Sequence, residues 1–176
     1  KIWGSEPMAV TDPRQIINES AMGVRQWIVV ILMFLLNALD GFDVLSSAFA
    51  APGISQEWGI PRAQLGIVLS AELVGMGFGS ILLGSLADKI GRKLDMLICL
   101  VFMAIGMYMA HAATGVTELT IWRFFTGLGI GGMLAATNAV TAEVSNKASR
   151  SLAMALYVIG YPVGGVIGGF AAQDWV

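Results

Sequence analysis

Gly84-Ser85-Leu86-Ala87-Asp88-Lys89-Ile90-Gly91-Arg92-Lys93 sets four charged side chains into ten residues between two long apolar runs. A glycine-flanked polar turn between runs of about 20 apolar residues reads as a tight connection at one face of a bilayer. The run before it extends from Gln64 to Ala87 and the run after it from Leu94 to Ala113. Three more runs of the same kind flank this pair: Trp27 to Ala51, stopping at Pro52-Gly53; Glu118 to Ala142; and Leu152 to Ala172. The expected fold is all-α: five transmembrane helices in residues 27–176, preceded by a polar tail in residues 1–26. Short connections predict that consecutive helices are antiparallel neighbours. Within the tail, Thr11-Asp12-Pro13 reads as a helix start, a capping residue followed by a first-turn proline.

Composition agrees. Of 176 residues, 56% are hydrophobic and only 12% charged, with a mean hydropathy of +0.75. Soluble domains carry about twice that charge. The 22 glycines fit membrane helices, which hold more Gly than soluble ones. A net charge of −2 gives no case for a nucleic-acid partner. Cys99 is the single cysteine, which excludes an intrachain disulfide, and its apolar surroundings suggest packing. The first apolar run is too long for the core of a signal peptide. The start at Lys1 and the odd number of spans, ending just after Asp174-Trp175, are expected of a truncated chain.

Basic residues set the orientation. Lys1, Arg14 and Arg25 precede the first span, Lys89, Arg92 and Lys93 follow the second, and Lys147 and Arg150 follow the fourth, all on one side. That side is expected to be cytoplasmic, with the N-terminus. Trp27 then falls at the inner interface and Trp58, Trp122 and Trp175 at the outer one.

The residues that bear on function are those that are costly in lipid. Asp40 and Asp43 fall inside the first span, Glu72 inside the second and Arg123 inside the fourth. A charge at the bilayer centre costs roughly 2.5–3.5 kcal/mol on insertion scales, and such groups line cavities or pair. Asn37, Asp40 and Asp43 recur every three residues and so form one polar stripe. Antiparallel spans put Asp40, Asp43, Glu72 and Arg123 at similar depth, so a cluster of three carboxyls and one guanidinium is expected. Its excess of negative charge implies that at least one carboxyl holds a proton. A static Asp43–Arg123 bridge that fixes packing is the competing reading, as is a Glu72 bonded to neighbouring backbone.

The passage from Gly84 to Lys93 resembles the loop signature of the major facilitator superfamily, G-x-x-x-D-[RK]-x-G-R-[RK], at every defined position. In that family the loop acts as a gating latch, which the resemblance carries to Gly84, Asp88, Lys89, Gly91, Arg92 and Lys93. Glu143 and Arg150 resemble the family's inner-side charge network, with a solvated, inert pair as the alternative. Arg123, followed by Gly127, Gly129, Gly131 and Gly132, is similar to the fourth-span pattern. Gly160-Tyr161-Pro162 with Gly164 and Gly165 is similar to the fifth-span pattern, although here the order is Gly-Tyr-Pro. Asp40-Gly41-Phe42-Asp43 is similar to the signature of the aromatic acid:proton symporter branch. That resemblance implies that Asp40, Asp43 and Arg123 are needed for transport. Proton coupling is expected at Asp40, Asp43 and Glu72, the last of which matches no family pattern, and substrate binding at Arg123 with Asp40, Asp43 and Asn37 of the same polar stripe.

The expected function is proton-coupled uptake of benzoate-like or hydroxybenzoate-like anions by alternating access. Another organic acid or a sugar is the alternative cargo. No enzyme activity, cofactor or metal is expected. Gly127-x-Gly129-x-x-Gly132 satisfies a dinucleotide fingerprint by letters alone, but it lies inside an apolar run, where small residues let helices approach. His111 has no ligand-spaced companion. An intramembrane aspartyl protease needs acids from two helices, whereas Asp40 and Asp43 share one. The expected partners are the lipid bilayer, a small organic anion, a proton and the remaining C-terminal half of the same transporter, without which five helices enclose no path.

Overall fold

The computed structural model describes residues 20–173; Thr11-Asp12-Pro13, Lys1, Arg14 and Trp175 lie outside them. Five helices follow in order: α1 (Val24–Trp58), α2 (Arg62–Ile90), α3 (Arg92–Ala112), α4 (Val116–Val144) and α5 (Arg150–Gln173). Each is long and apolar enough to cross a membrane. Helix α1 already begins at Val24, so residues 24–26 of the expected tail belong to the first span.

The expected stop at Pro52-Gly53 is not observed, and α1 runs through Pro52 for 35 residues. Proline removes one backbone donor, but inside a bilayer any alternative to helix would strand more of them. Termination comes instead at Gly59, in the left-handed conformation at φ 62°, whose N–H bonds the Ser55 carbonyl. The α2–α3 connection is the single residue Gly91, at φ 92° and ψ 144°, a conformation that side chains rarely adopt.

Consecutive helices touch as expected, but most of them are not the most closely packed pairs. The most extensive packing is between α2 and α4 and between α1 and α5, followed by α3 against α4. Glycines decide this. A Cβ on Gly75 or Gly79 would strike the carbonyls of Phe124 or Leu128, and one on Gly127 or Gly131 those of Glu72 or Met76. These positions recur every four residues on both helices, so two smooth ridges meet backbone to backbone. Gly41 lies against the Tyr161 carbonyl, and Gly160 and Gly164 lie against those of Phe34 and Ala38, which joins α1 to α5 in the same way. The ridges of α2 and α1 face non-consecutive partners, and the short loops span the gaps.

The ionisable groups of the spans lie in the interior beside apolar core residues, whereas many large apolar side chains face outward. Asp40 is 1% exposed and its neighbour Leu39 is 48% exposed; Glu72 is 1% exposed and Leu73 60%. That inversion suits a lipid solvent, in which the ionisable groups must face protein or a cavity.

Candidate functional site

Helix α1 presents Asn37, Asp40, Asp43 and Ser47 on one buried face, at spacings of three, three and four residues. Helix α2 brings Glu72 to the same depth and α4 brings Arg123. Arg123 Nη1 lies 3.7 Å from Glu72 Oε2 and 3.9 Å from Asp43 Oδ1. Both distances exceed hydrogen-bond length, so the contacts are ionic and loose. The same Nη1 donates a hydrogen bond to Ser47 Oγ. Ser47 Oγ donates in turn to the Asp43 carbonyl at 2.9 Å, which also accepts from Ser46 at 2.9 Å. Arg123 is thus steadied on α1 through a hydroxyl while its charge is shared between two carboxylates.

Asp43 Oδ2, Glu72 Oε1 and Asp40 Oδ2 are buried without a hydrogen-bond partner. A buried acceptor without a donor costs on the order of 1–3 kcal/mol, and more when charged. The site therefore has unused capacity for protons or donors. Three carboxylates against one guanidinium would leave two negative charges uncompensated.

The expected four-membered cluster is corrected in one respect. Arg123 bridges Asp43 and Glu72, and among the described residues Asp40 makes no ion pair within 4.0 Å. Asp40 shares the face of Asp43 but sits three residues, about 4.5 Å of helix rise, closer to the basic end of α1. Asn37 Nδ2 donates to the Tyr157 carbonyl at 2.7 Å, so its amide ties α1 to α5.

An open cleft of about 620 Å³ lies against this site, lined by Asp43 and Arg123 together with Trp58, Met107, His111 and Leu119. It gives the ion pair access from the far side of the bundle.

At the basic end Arg92 Nη2 lies 3.0 Å from Asp88 Oδ1 and 3.1 Å from Glu143 Oε1. The acid at the end of α2, unfavourable beside its own helix terminus, is compensated by the first residue of α3. Glu143 was expected beside Arg150; the carboxylate is instead engaged by Arg92, because the α3–α4 packing brings their ends together. Arg150 Nη2 donates to the Ser145 carbonyl at 3.5 Å. Lys89 and Lys93 are exposed, and a Cβ on Gly84 would sit 3.2 Å from that of Ala135.

Four residues escaped the sequence reading. Asp95 is fully buried in the first turn of α3, with neither carboxylate oxygen partnered. The signal was present, because Asp95 heads the Cys99, Met103 stripe at four-residue spacing. Ser47 extends the α1 stripe by one turn. Tyr157 and Tyr161 lie on the α5 face turned to α1, hidden in a pattern read only for its glycines and proline.

The family model of the Major Facilitator Superfamily matches residues 31–173. The chain belongs to the major facilitator superfamily. Among curated members, it is 41% identical over 166 residues to the 4-hydroxybenzoate transporter PcaK of Pseudomonas putida, covering 94% of this chain and 37% of that protein. It is 33% identical to a gallate transporter of the same organism, covering 92% and 36%, and 30% identical to a benzoate transport protein of Acinetobacter baylyi, covering 89% and 34%. The chain thus spans little more than a third of the length of these superfamily relatives. With five apolar helices, it is a multi-pass membrane protein of this superfamily, and its relatives are transporters rather than catalysts.

Proposed function

We propose that this chain is the N-terminal, proton-coupling portion of a transporter that carries aromatic carboxylates into the cell by alternating access. The single observation that carries the reading is the guanidinium of Arg123 held loosely between Asp43 and Glu72 inside the bilayer, beside an open cleft. An arginine shared at 3.7 and 3.9 Å is available to a competing carboxylate, and one that arrives already paired with a proton disturbs the charge balance least. The named cargoes of the relatives are such anions.

Each step follows from charge. With the carboxyls ionised, Arg123 is retained by Asp43 and Glu72. Proton uptake by Asp43, with Asp40 one turn away, weakens that hold and frees Arg123 for the cargo carboxylate. The neutralised site then tolerates passage through the dry intermediate between outward- and inward-open states. The membrane potential contributes about 2.3 kcal/mol per charge per 100 mV. The basic end faces the cytoplasm by the distribution of Lys and Arg, and the Asp88–Arg92–Glu143 group latches the inner ends in one state. The path is completed by helices beyond those described here.

The test is uptake of labelled 4-hydroxybenzoate by the full-length protein carrying Asp40→Asn or Asp43→Asn. Each variant is expected to lose pH-driven accumulation by at least tenfold while still reaching the membrane. Undiminished accumulation by both would refute the assignment.

A further inference from the structure

The contacts of Arg123 converge on one atom. Nη1 donates to Ser47 Oγ and lies 3.7 Å from Glu72 Oε2 and 3.9 Å from Asp43 Oδ1. Through Nε and Nη2 the guanidinium makes no hydrogen bond with any described residue. The Nε–Nη2 edge carries two parallel N–H groups, the fork on which an arginine clamps a carboxylate with two bonds. The packing therefore ties down one corner of the guanidinium and leaves that edge unused.

The hydroxyl that ties it differs in kind from the two acids. The O–H of Ser47 is committed to the Asp43 carbonyl, four residues back, at 2.9 Å, so toward Arg123 its oxygen acts only as an acceptor. It carries no charge, and the bond persists whatever the proton load on the carboxyls. Its position differs as well. The open cleft is lined by Asp43 and Arg123 but not by Ser47. Ser47 borders a separate apolar cavity of about 30 Å³, which Arg123 also lines. The hydroxyl thus holds the guanidinium from outside the cleft.

Charged or titratable groups meet Arg123 from the surrounding helices: Asp43 on α1, with Asp40 one turn away, Glu72 on α2, and His111 of α3 on the shared cleft. Helix α5 carries no charged side chain after Arg150. Once Asp43 takes up a proton, Glu72 is the nearest remaining counter-charge. An arginine without a further tether would turn its open edge onto Glu72. We propose that Ser47 is a positioning residue: it pins Nη1 to α1, so that the Nε–Nη2 edge stays open to the cargo carboxylate instead of closing on Glu72. This rests on the aromatic-acid reading and deepens it, by assigning the residue that keeps the anion site available.

The test is equilibrium binding of labelled 4-hydroxybenzoate to the purified full-length protein under mildly acidic conditions. Ser47→Ala is expected to raise Kd about tenfold or more, the worth of a hydrogen bond to a charged group. Ser47→Thr keeps the hydroxyl, and the cavity beside it has room for the added methyl, so its Kd is expected within about twofold of the unaltered protein. In a Glu72→Gln background, where no carboxylate competes at that position, Ser47→Ala is expected to change Kd less than about twofold. A purely structural serine would show no such coupling to Glu72. An unchanged Kd in Ser47→Ala overturns the proposal, as does a tenfold loss that persists in the Glu72→Gln background. If the unaltered protein binds no 4-hydroxybenzoate, the aromatic-acid reading itself fails, and the role of Ser47 with it.

Discussion

Asp95 poses a clear energetic contest. An acid in the first turn of a helix gains about 0.3–1 kcal/mol from the helix dipole. Burial without a partner for either oxygen costs on the order of 1–3 kcal/mol, and more if the group is ionised. Desolvation wins, so Asp95 weakens the fold in which it sits. Asp95→Asn is expected to leave the thermal unfolding midpoint of the purified protein unchanged or higher. A fall of several degrees would show that the carboxylate has a partner this packing does not reveal. Asp43 and Glu72 differ because Arg123 offsets part of their burial. Asn37 differs again, because its amide is bonded to the Tyr157 carbonyl at 2.7 Å. The polar stripe on α1 was readable from its spacing alone. An Asp43–Arg123 pair was among the readings of the sequence; that Arg123 would also take Glu72 and pass over Asp40 was not legible, because spacing along one helix says nothing about the rotation of the next.

The helices are held by backbone contact at glycines, and the individual glycines are far from equivalent. A Cβ at Gly79 would fall on the Leu128 carbonyl, where backbone on both sides cannot yield; a Cβ at Gly77 would meet no heavy atom within 4 Å. Gly79→Ala is expected to force α2 and α4 apart, with a loss of about 1–3 kcal/mol by overpacking. Gly77→Ala should instead gain about 0.5–1 kcal/mol from helix propensity. Thermal unfolding of the two variants in the same detergent separates them, and equal shifts would contradict the proposed ridge. Both residues belong to the same glycine-rich sequence, so the pattern alone could not rank them. It did place α1 to α5 within a few residues, apart from the run through Pro52, where the lack of solvent for a free backbone outweighs proline's usual effect.

Taken together, the five helices form two glycine seams, α1 with α5 and α2 with α4, joined near Arg123; at the basic end Arg92 of α3 ties α2 to α4 within the second seam. The side chains of Arg92 and Glu143 are 28% and 58% exposed, so their pair adds at most about 1 kcal/mol to stability. The same energy placed on an equilibrium between two transporter states changes their ratio by roughly fivefold. Arg92→Gln and Glu143→Gln in the full-length protein are therefore expected to leave thermal stability unchanged and to raise inner-side labelling of introduced cysteines severalfold. A large loss of stability without a change in labelling would make the group a structural brace instead of a latch.

Solvent and spacing explain what was legible beforehand. Runs of apolar residues and a charged loop of defined pattern were enough for five membrane helices and the superfamily, because a bilayer penalises each residue according to its own chemistry. The pairing of α1 with α5 and α2 with α4, the choice of carboxylates around Arg123, the Arg92–Glu143 bridge and the bond from Arg123 to Ser47 depend on how each helix is rotated against a partner distant in the chain. That rotation is set jointly by glycine ridges on two helices, and neither ridge specifies its partner until both are packed.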